Sequence, residues 1–189
     1  MRDIIARRFA EAADVLSATR EHLAQPLEQA ARLVADCLRA GQAVFTLGNG
    51  GSAADAQHIA GELVGRFLVD RPPLRAEALS TDTSVLTAVA NDYGYENVFA
   101  RQLAGKARRG DVVIALSTSG DSPNVLAALK QARQMGCRTI AFTGRGGGQC
   151  AGLADVLLDV PATLSPRIQE AHALMYHILC ELVEAELAG

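Results

Sequence analysis

With 189 residues, 49% of them hydrophobic, the chain is long enough to bury one sizeable core and short for two. Its 18 basic and 21 acidic residues leave a net charge of -3 and are mixed along the sequence, which excludes a basic field for nucleic acid and a polybasic patch for membranes. The expected partner is a small molecule or another protein. No run approaches the roughly 18 apolar residues of a membrane span, and Arg2, Asp3, Arg7 and Arg8 interrupt the N-terminus, so no signal peptide is read there. Cys37, Cys137, Cys150 and Cys180 show neither Cys-x-x-Cys spacing nor scaffold density, and read as reduced, buried thiols of a cytoplasmic protein.

From about residue 3 to 40, apolar positions recur at helical spacing (Ile4, Ile5, Phe9, Ala12, Ala13, Leu16, then Leu27, Ala30, Ala31, Val34, Cys37, Leu38). Pro26 suits a helix start, so the expectation is a helical hairpin broken near Gln25. After Gly41, short apolar runs alternate with helical patterns: Ala43 to Leu47, Ala76 to Leu79, Val112 to Leu116, Thr139 to Phe142 and Val156 to Val160. Continuous apolar strands between helices predict a three-layer, doubly wound α/β domain on a parallel five-stranded sheet, with the helical hairpin at its N-terminus and one domain spanning 1–189.

In such sheets ligands bind outside the carboxyl ends of the strands. Gly48-Asn49-Gly50-Gly51-Ser52 follows the first strand, without the Gly-x-Gly-x-x-Gly pattern or P-loop lysine of nucleotide folds. The helix after it carries His58 and Glu62 at i and i+4 on one face, and Arg66 extends that stripe. An imidazole beside a carboxylate can transfer protons or hold a divalent metal. Ser117-Thr118-Ser119-Gly120-Asp121-Ser122 lies between the third strand and a helical pattern starting near Pro123. Four hydroxyls, a permissive glycine and the unpaired amides of a helix start make an anion pocket there. Gly144 to Gly148 has no hydroxyls and reads as a connection. In the last helix, opened by Pro166, Gln169 and His177 lie eight residues apart, about 12 Å along the axis, so on one helix they reach a common ligand only from opposite ends. His172 reads as a packed or surface histidine.

These segments, together with Ala53-Ala54-Asp55-Ala56-Gln57-His58, Thr81-Asp82, Ala90-Asn91-Asp92-Tyr93-Gly94-Tyr95-Glu96 and Pro166-Arg167-Ile168-Gln169-Glu170-Ala171-His172, resemble the phosphoheptose isomerases of the sugar isomerase (SIS) domain family over almost the whole chain. The resemblance implies aldose-ketose isomerisation of sedoheptulose 7-phosphate to D-glycero-D-manno-heptose 7-phosphate through an enediol-like intermediate, as the entry step to lipopolysaccharide heptose. It implies substrate contacts at Asn49, Gly50, Gly51, Ser52, Glu62, Asn91, Asp92, Ser117, Thr118, Ser119, Ser122 and Gln169. It also implies a zinc ion on His58, Glu62, Gln169 and His177, and a homotetramer whose sites combine residues from two chains. Some members carry Asp where this chain has Pro166. Glu62 is the expected base and His177 the expected acid; with zinc bound both become ligands, and the sequence leaves the two schemes open. Two other readings are a non-catalytic SIS tetramer that binds the replication initiator, and an isomerase of another phosphosugar. A regulatory SIS domain would need a second domain for which the length leaves no room.

Overall fold

The computed structural model describes residues 1–188. Five strands form one parallel sheet: β1 (Val44–Gly48), β2 (Ala76–Ala78), β3 (Val112–Ser117), β4 (Arg138–Thr143) and β5 (Val156–Asp159), in the order β2-β1-β3-β4-β5. Six α-helices surround them: α1 (Arg2–Arg39), α2 (Gly51–Val64), α3 (Thr83–Tyr93), α4 (Ala100–Lys106), α5 (Pro123–Gln134) and α6 (Ser165–Ala188).

Alternation along the strands creates the layers. Val44, Val112, Ile114, Leu116, Ile140 and Phe142 share one core with residues of α1, α2 and α6. Phe45, Leu47, Val113, Ala115 and Ala141 point the other way, into a second core with α3, α4 and α5. The three-layer expectation therefore holds, and the strands are buried on both faces as a parallel sheet requires.

The N-terminal hairpin is corrected: the segment is one continuous helix, with Pro26 inside it. Proline removes one helical hydrogen bond and costs about 3 kcal/mol in a helix interior. Leu23 precedes it and Leu27, Ala30, Ala31 and Val34 follow it on one buried stripe, so a break would expose side chains worth about 1.5 to 3 kcal/mol each for the large ones. Packing on α6 outweighs the local penalty. Arg167 Nη1 donates to the Arg8 carbonyl (2.7 Å) and Arg39 Nη2 to the Glu186 carbonyl (2.8 Å), tying α1 to α6 near both of their ends.

All four cysteines are buried and unpaired. Burial pushes the Cys180 thiol up to about 12, which keeps it protonated at neutral pH. No helix among the described residues is long and apolar enough to cross a membrane.

Candidate active site

The sheet order reverses between β1 and β3, because β2 lies on one side of β1 and all later strands on the other. Loops leaving the carboxyl ends of two such strands diverge and open a crevice. The Asn49-Gly50-Gly51 loop follows β1, the hydroxyl turn follows β3, and the register pairs Gly48 with Leu116, so both candidate anion loops flank that crevice. An amide pair bridges them: Asn49 Nδ2 donates to Asn124 Oδ1 and Asn124 Nδ2 to Asn49 Oδ1, both at 2.8 Å. Tyr95 Oη donates to the same Asn49 oxygen at 3.3 Å. Asn124 is buried, and the sequence reading passed over it because an Asn in the first turn of a helix looks ordinary.

Within the hydroxyl turn, Ser117 and Ser122 Oγ lie 3.0 Å apart, and Ser117 Oγ also accepts from the Gly120 amide at 3.2 Å. Ser119 Oγ accepts from the Asp121 amide at 3.2 Å. Ser122 occupies the N-cap of α5 without a side-chain capping bond, so its hydroxyl is turned to the serine cluster rather than to the helix amides. Gly120 has φ +71°, and a Cβ there would lie 2.1 Å from the Gly147 carbonyl oxygen. The Gly144 to Gly148 connection thus also braces this turn: Gln149 N donates to Asp121 Oδ1 and Cys150 N to the Gly120 carbonyl, each at 3.0 Å.

α2 begins at the glycine loop, and α6 runs beside it in the same direction. The contacts pair Gly51 with Gln169, His58 with Tyr176 and His177, and the segment after α2 with Glu184. A Cβ on Gly51 would lie 2.5 Å from Gln169 Nε2, so the absent side chain is what admits the glutamine amide. Two turns further, His58 Nε2 donates to Glu62 Oε1 at 2.9 Å and faces His177 Nε2 at 3.5 Å. Tyr176 Oη meets the other ring nitrogen, His58 Nδ1, at 3.0 Å. His177 stacks on Phe67, with ring centroids 5.7 Å apart. Asp55, one turn before His58, has a buried Oδ2 without a partner; burial raises its pKa, and burial followed by the Asp55 charge pushes Tyr176 up to about 12.

One ligand atom from each of His58, Glu62 and His177 lies within 4.8 Å of the others. Ligand atoms at about 2.0–2.1 Å from a tetrahedral ion sit about 3.3 Å apart, so spacings of 2.9 and 3.5 Å match a two-imidazole, one-carboxylate cradle with an open position. Gln169, the remaining member of the expected set, has its amide against Gly51 at the start of α2. Arg66 is corrected: α2 ends at Val64, so Arg66 falls beyond the helix and does not extend the His58 and Glu62 stripe. Asn91 and Asp92 lie exposed on α3 and bond to each other (2.7 Å). Ser52 is buried in the first turn of α2. His172 is a core histidine: fully buried, it donates Nε2–H to the Thr143 carbonyl at 3.1 Å, and burial lowers its pKa to about 4.

Residues 8–144 match the SIS domain family model. Phosphoheptose isomerase of Akkermansia muciniphila is 53% identical over 167 residues, which cover 88% of each chain. The Aliarcobacter butzleri phosphoheptose isomerase is 46% identical over all of both chains. The chain belongs to the phosphoheptose isomerase family. Among solved structures, the phosphoheptose isomerase of Neisseria gonorrhoeae superposes with TM-score 0.93 at 43% identity, covering 97% of this chain and 98% of that one. A phosphoheptose isomerase fold of that length is what the layers, the two loops and the α2–α6 pair of the present chain build.

Proposed function

We propose that the chain isomerises sedoheptulose 7-phosphate to D-glycero-D-manno-heptose 7-phosphate in the cytoplasm, as a zinc-binding homotetramer supplying heptose to lipopolysaccharide-type glycans. One observation carries the reading: α2 starts at the glycine loop beside the hydroxyl turn and bears His58 and Glu62 two and three turns on, where His177 meets them. Ser117, Thr118, Ser119 and Ser122 hold the phosphate with the amides that open α5, and Asn49, Gly50, Gly51, Ser52, Asn91, Asp92 and Gln169 line the sugar. Binding energy spent on the phosphate then orients the distant carbons.

Glu62 takes the proton from C1 of the ketose and returns it to C2, and His177 exchanges protons with the two oxygens, which passes the sugar through an enediol. His58, held at Nδ1 by Tyr176, orients the Glu62 carboxylate through its 2.9 Å bond. In the zinc-bound scheme His58, Glu62 and His177, with Gln169, would instead hold the ion, which would supply polarisation of the sugar carbonyl. Tetramer formation is supported by an apolar groove of about 470 Å³ between α1 and α6, lined by Leu16, Leu23, Leu27, Leu174 and Ile178. It is also supported by Phe9, 76% exposed on the same long helix. Retention of the whole His58, Glu62 and His177 group speaks against the non-catalytic alternative.

The test is conversion of sedoheptulose 7-phosphate to an aldoheptose phosphate, measured with and without a chelator, on wild type and Glu62→Gln. Turnover by wild type and none by Glu62→Gln, with substrate still bound, is expected. No turnover by metal-replete, tetrameric wild type would overturn the reading. Undiminished activity after chelation would remove zinc from it.

A further inference from the structure

The α2–β2 connection is gripped by a buried charge that the reaction does not use. Glu184, on α6, is only 3% exposed, and its two oxygens accept from three successive amides, Phe67 N (2.8 Å), Leu68 N (2.8 Å) and Val69 N (3.0 Å), and from Arg71 Nε (2.9 Å). Arg71 reaches on to the carbonyl oxygens of Glu62 (2.8 Å) and Leu63 (2.9 Å), at the last turn of α2. Desolvation pushes Glu184 toward the neutral form, but the three amides and Arg71 outweigh it and hold its pKa below the ordinary value. Leu68 (61%) and Val69 (52%) are exposed, so the stretch that Glu184 grips is anchored by polar contacts, with Phe67 and Leu74 packed on the core to either side of it. What it does place is Phe67, whose ring stacks on His177. Glu184 and His177 are seven residues apart and lie on one face of α6.

We propose that Glu184 and Arg71 are positioning residues: together they fix the end of α2 that carries Glu62 against the face of α6 that carries His177, and they seat Phe67 so that it sets the His177 ring plane. A buried ion pair is poor evidence of stabilisation, because a well-packed apolar pair of similar volume is often as stable. The specific gain here is geometric. Two groups on different helices must keep a spacing of a few ångströms, and a 1 Å error at reacting groups can cost about a hundredfold in rate.

This inference rests on the proposed roles of Glu62 and His177, so its test has two separable readouts. Glu184→Gln, Arg71→Lys and Phe67→Leu are assayed for kcat and KM, and the His177 ring resonances are followed by NMR in protein with selectively labelled histidine. The chain has only four histidines, which keeps assignment tractable. Because the phosphate loop is untouched, kcat should fall at least about tenfold while KM stays within about twofold. The His177 signals should move in all three variants, with Phe67→Leu removing the stacked ring while leaving the Glu184 bonds in place. Unchanged kcat, or His177 signals unmoved in Glu184→Gln and Arg71→Lys, overturns the proposal. Should Glu184→Gln fail to fold, Arg71→Lys and Phe67→Leu decide it. Were wild type to lack turnover, the function reading would fall and the resonances alone would decide the clamp.

Discussion

Replacing Gly51 by Ala separates stability from activity in a way that tests the placement of Gln169. Gly51 is the first residue of α2 and does not have positive φ, so alanine is compatible with its backbone and gains up to about 1 kcal/mol of helix preference. The new Cβ would lie 2.5 Å from Gln169 Nε2 and 3.2 Å from its Cδ. Ordinary carbon contacts are about 3.5–4.0 Å, so the amide must retreat by about 1 Å, which a flexible side chain can do. The fold should therefore survive with its melting temperature unchanged or raised. A hydrogen bond to a group that carries charge as the reaction proceeds contributes about 1.5–3 kcal/mol, so kcat/KM should fall about 10- to 100-fold. Gly61→Ala, on the same helix with open space around its Cβ, should show the stabilisation without the loss. Initial rates of aldoheptose phosphate formation, paired with thermal melts, measure both. Unchanged kcat/KM in Gly51→Ala would refute the placement of Gln169 in the site, and a melting temperature falling together with activity would show a collapsed loop instead of a displaced amide.

Gly120→Ala should behave in the opposite way. Its φ of +71° and a Cβ 2.1 Å from a backbone oxygen leave no flexible partner to yield, so urea denaturation should show a loss of at least about 2 kcal/mol. Ser119→Ala and Ser122→Ala should raise KM about tenfold or more each, with a smaller effect on kcat, since their hydroxyls are assigned to the phosphate; equal KM values would remove the turn from the binding site. His172 predicts an acid weakness. Its folded pKa of about 4 lies below the ordinary 6.5, so the unfolded chain binds the proton first, and the stability it contributes is intact above 6.5 and lost as pH falls toward 4. Between pH 7 and pH 5 the loss should be about 2 kcal/mol by chemical denaturation, and His172→Gln, which can still donate to Thr143, should flatten it.

The fold and part of the site were legible because each rests on local pattern. Apolar runs such as Val112 to Leu116, five residues long and bounded by turn residues, suit a strand covered on both faces, and a helix that starts after hydroxyls and glycine offers free amides to an anion. The i, i+4 spacing alone put His58 and Glu62 on one face. Local rules failed at Pro26, where burial across α1 and α6 outweighed a helix breaker, and at Arg66, where α2 stops at Val64, short of the stripe's last member. Asn124, Tyr176, Phe67, Arg71 and Glu184 carried no signal in sequence, since each acts through a partner 8 to 118 positions away. The amino-acid order by itself determined the layers and marked the two candidate loops and the pairing of His58 with Glu62 on one helix face. Only the tertiary structure decided that α2 and α6 run side by side, because that depends on which stripes bury each other, and with it that His177 joins His58 while Gln169 stays at Gly51.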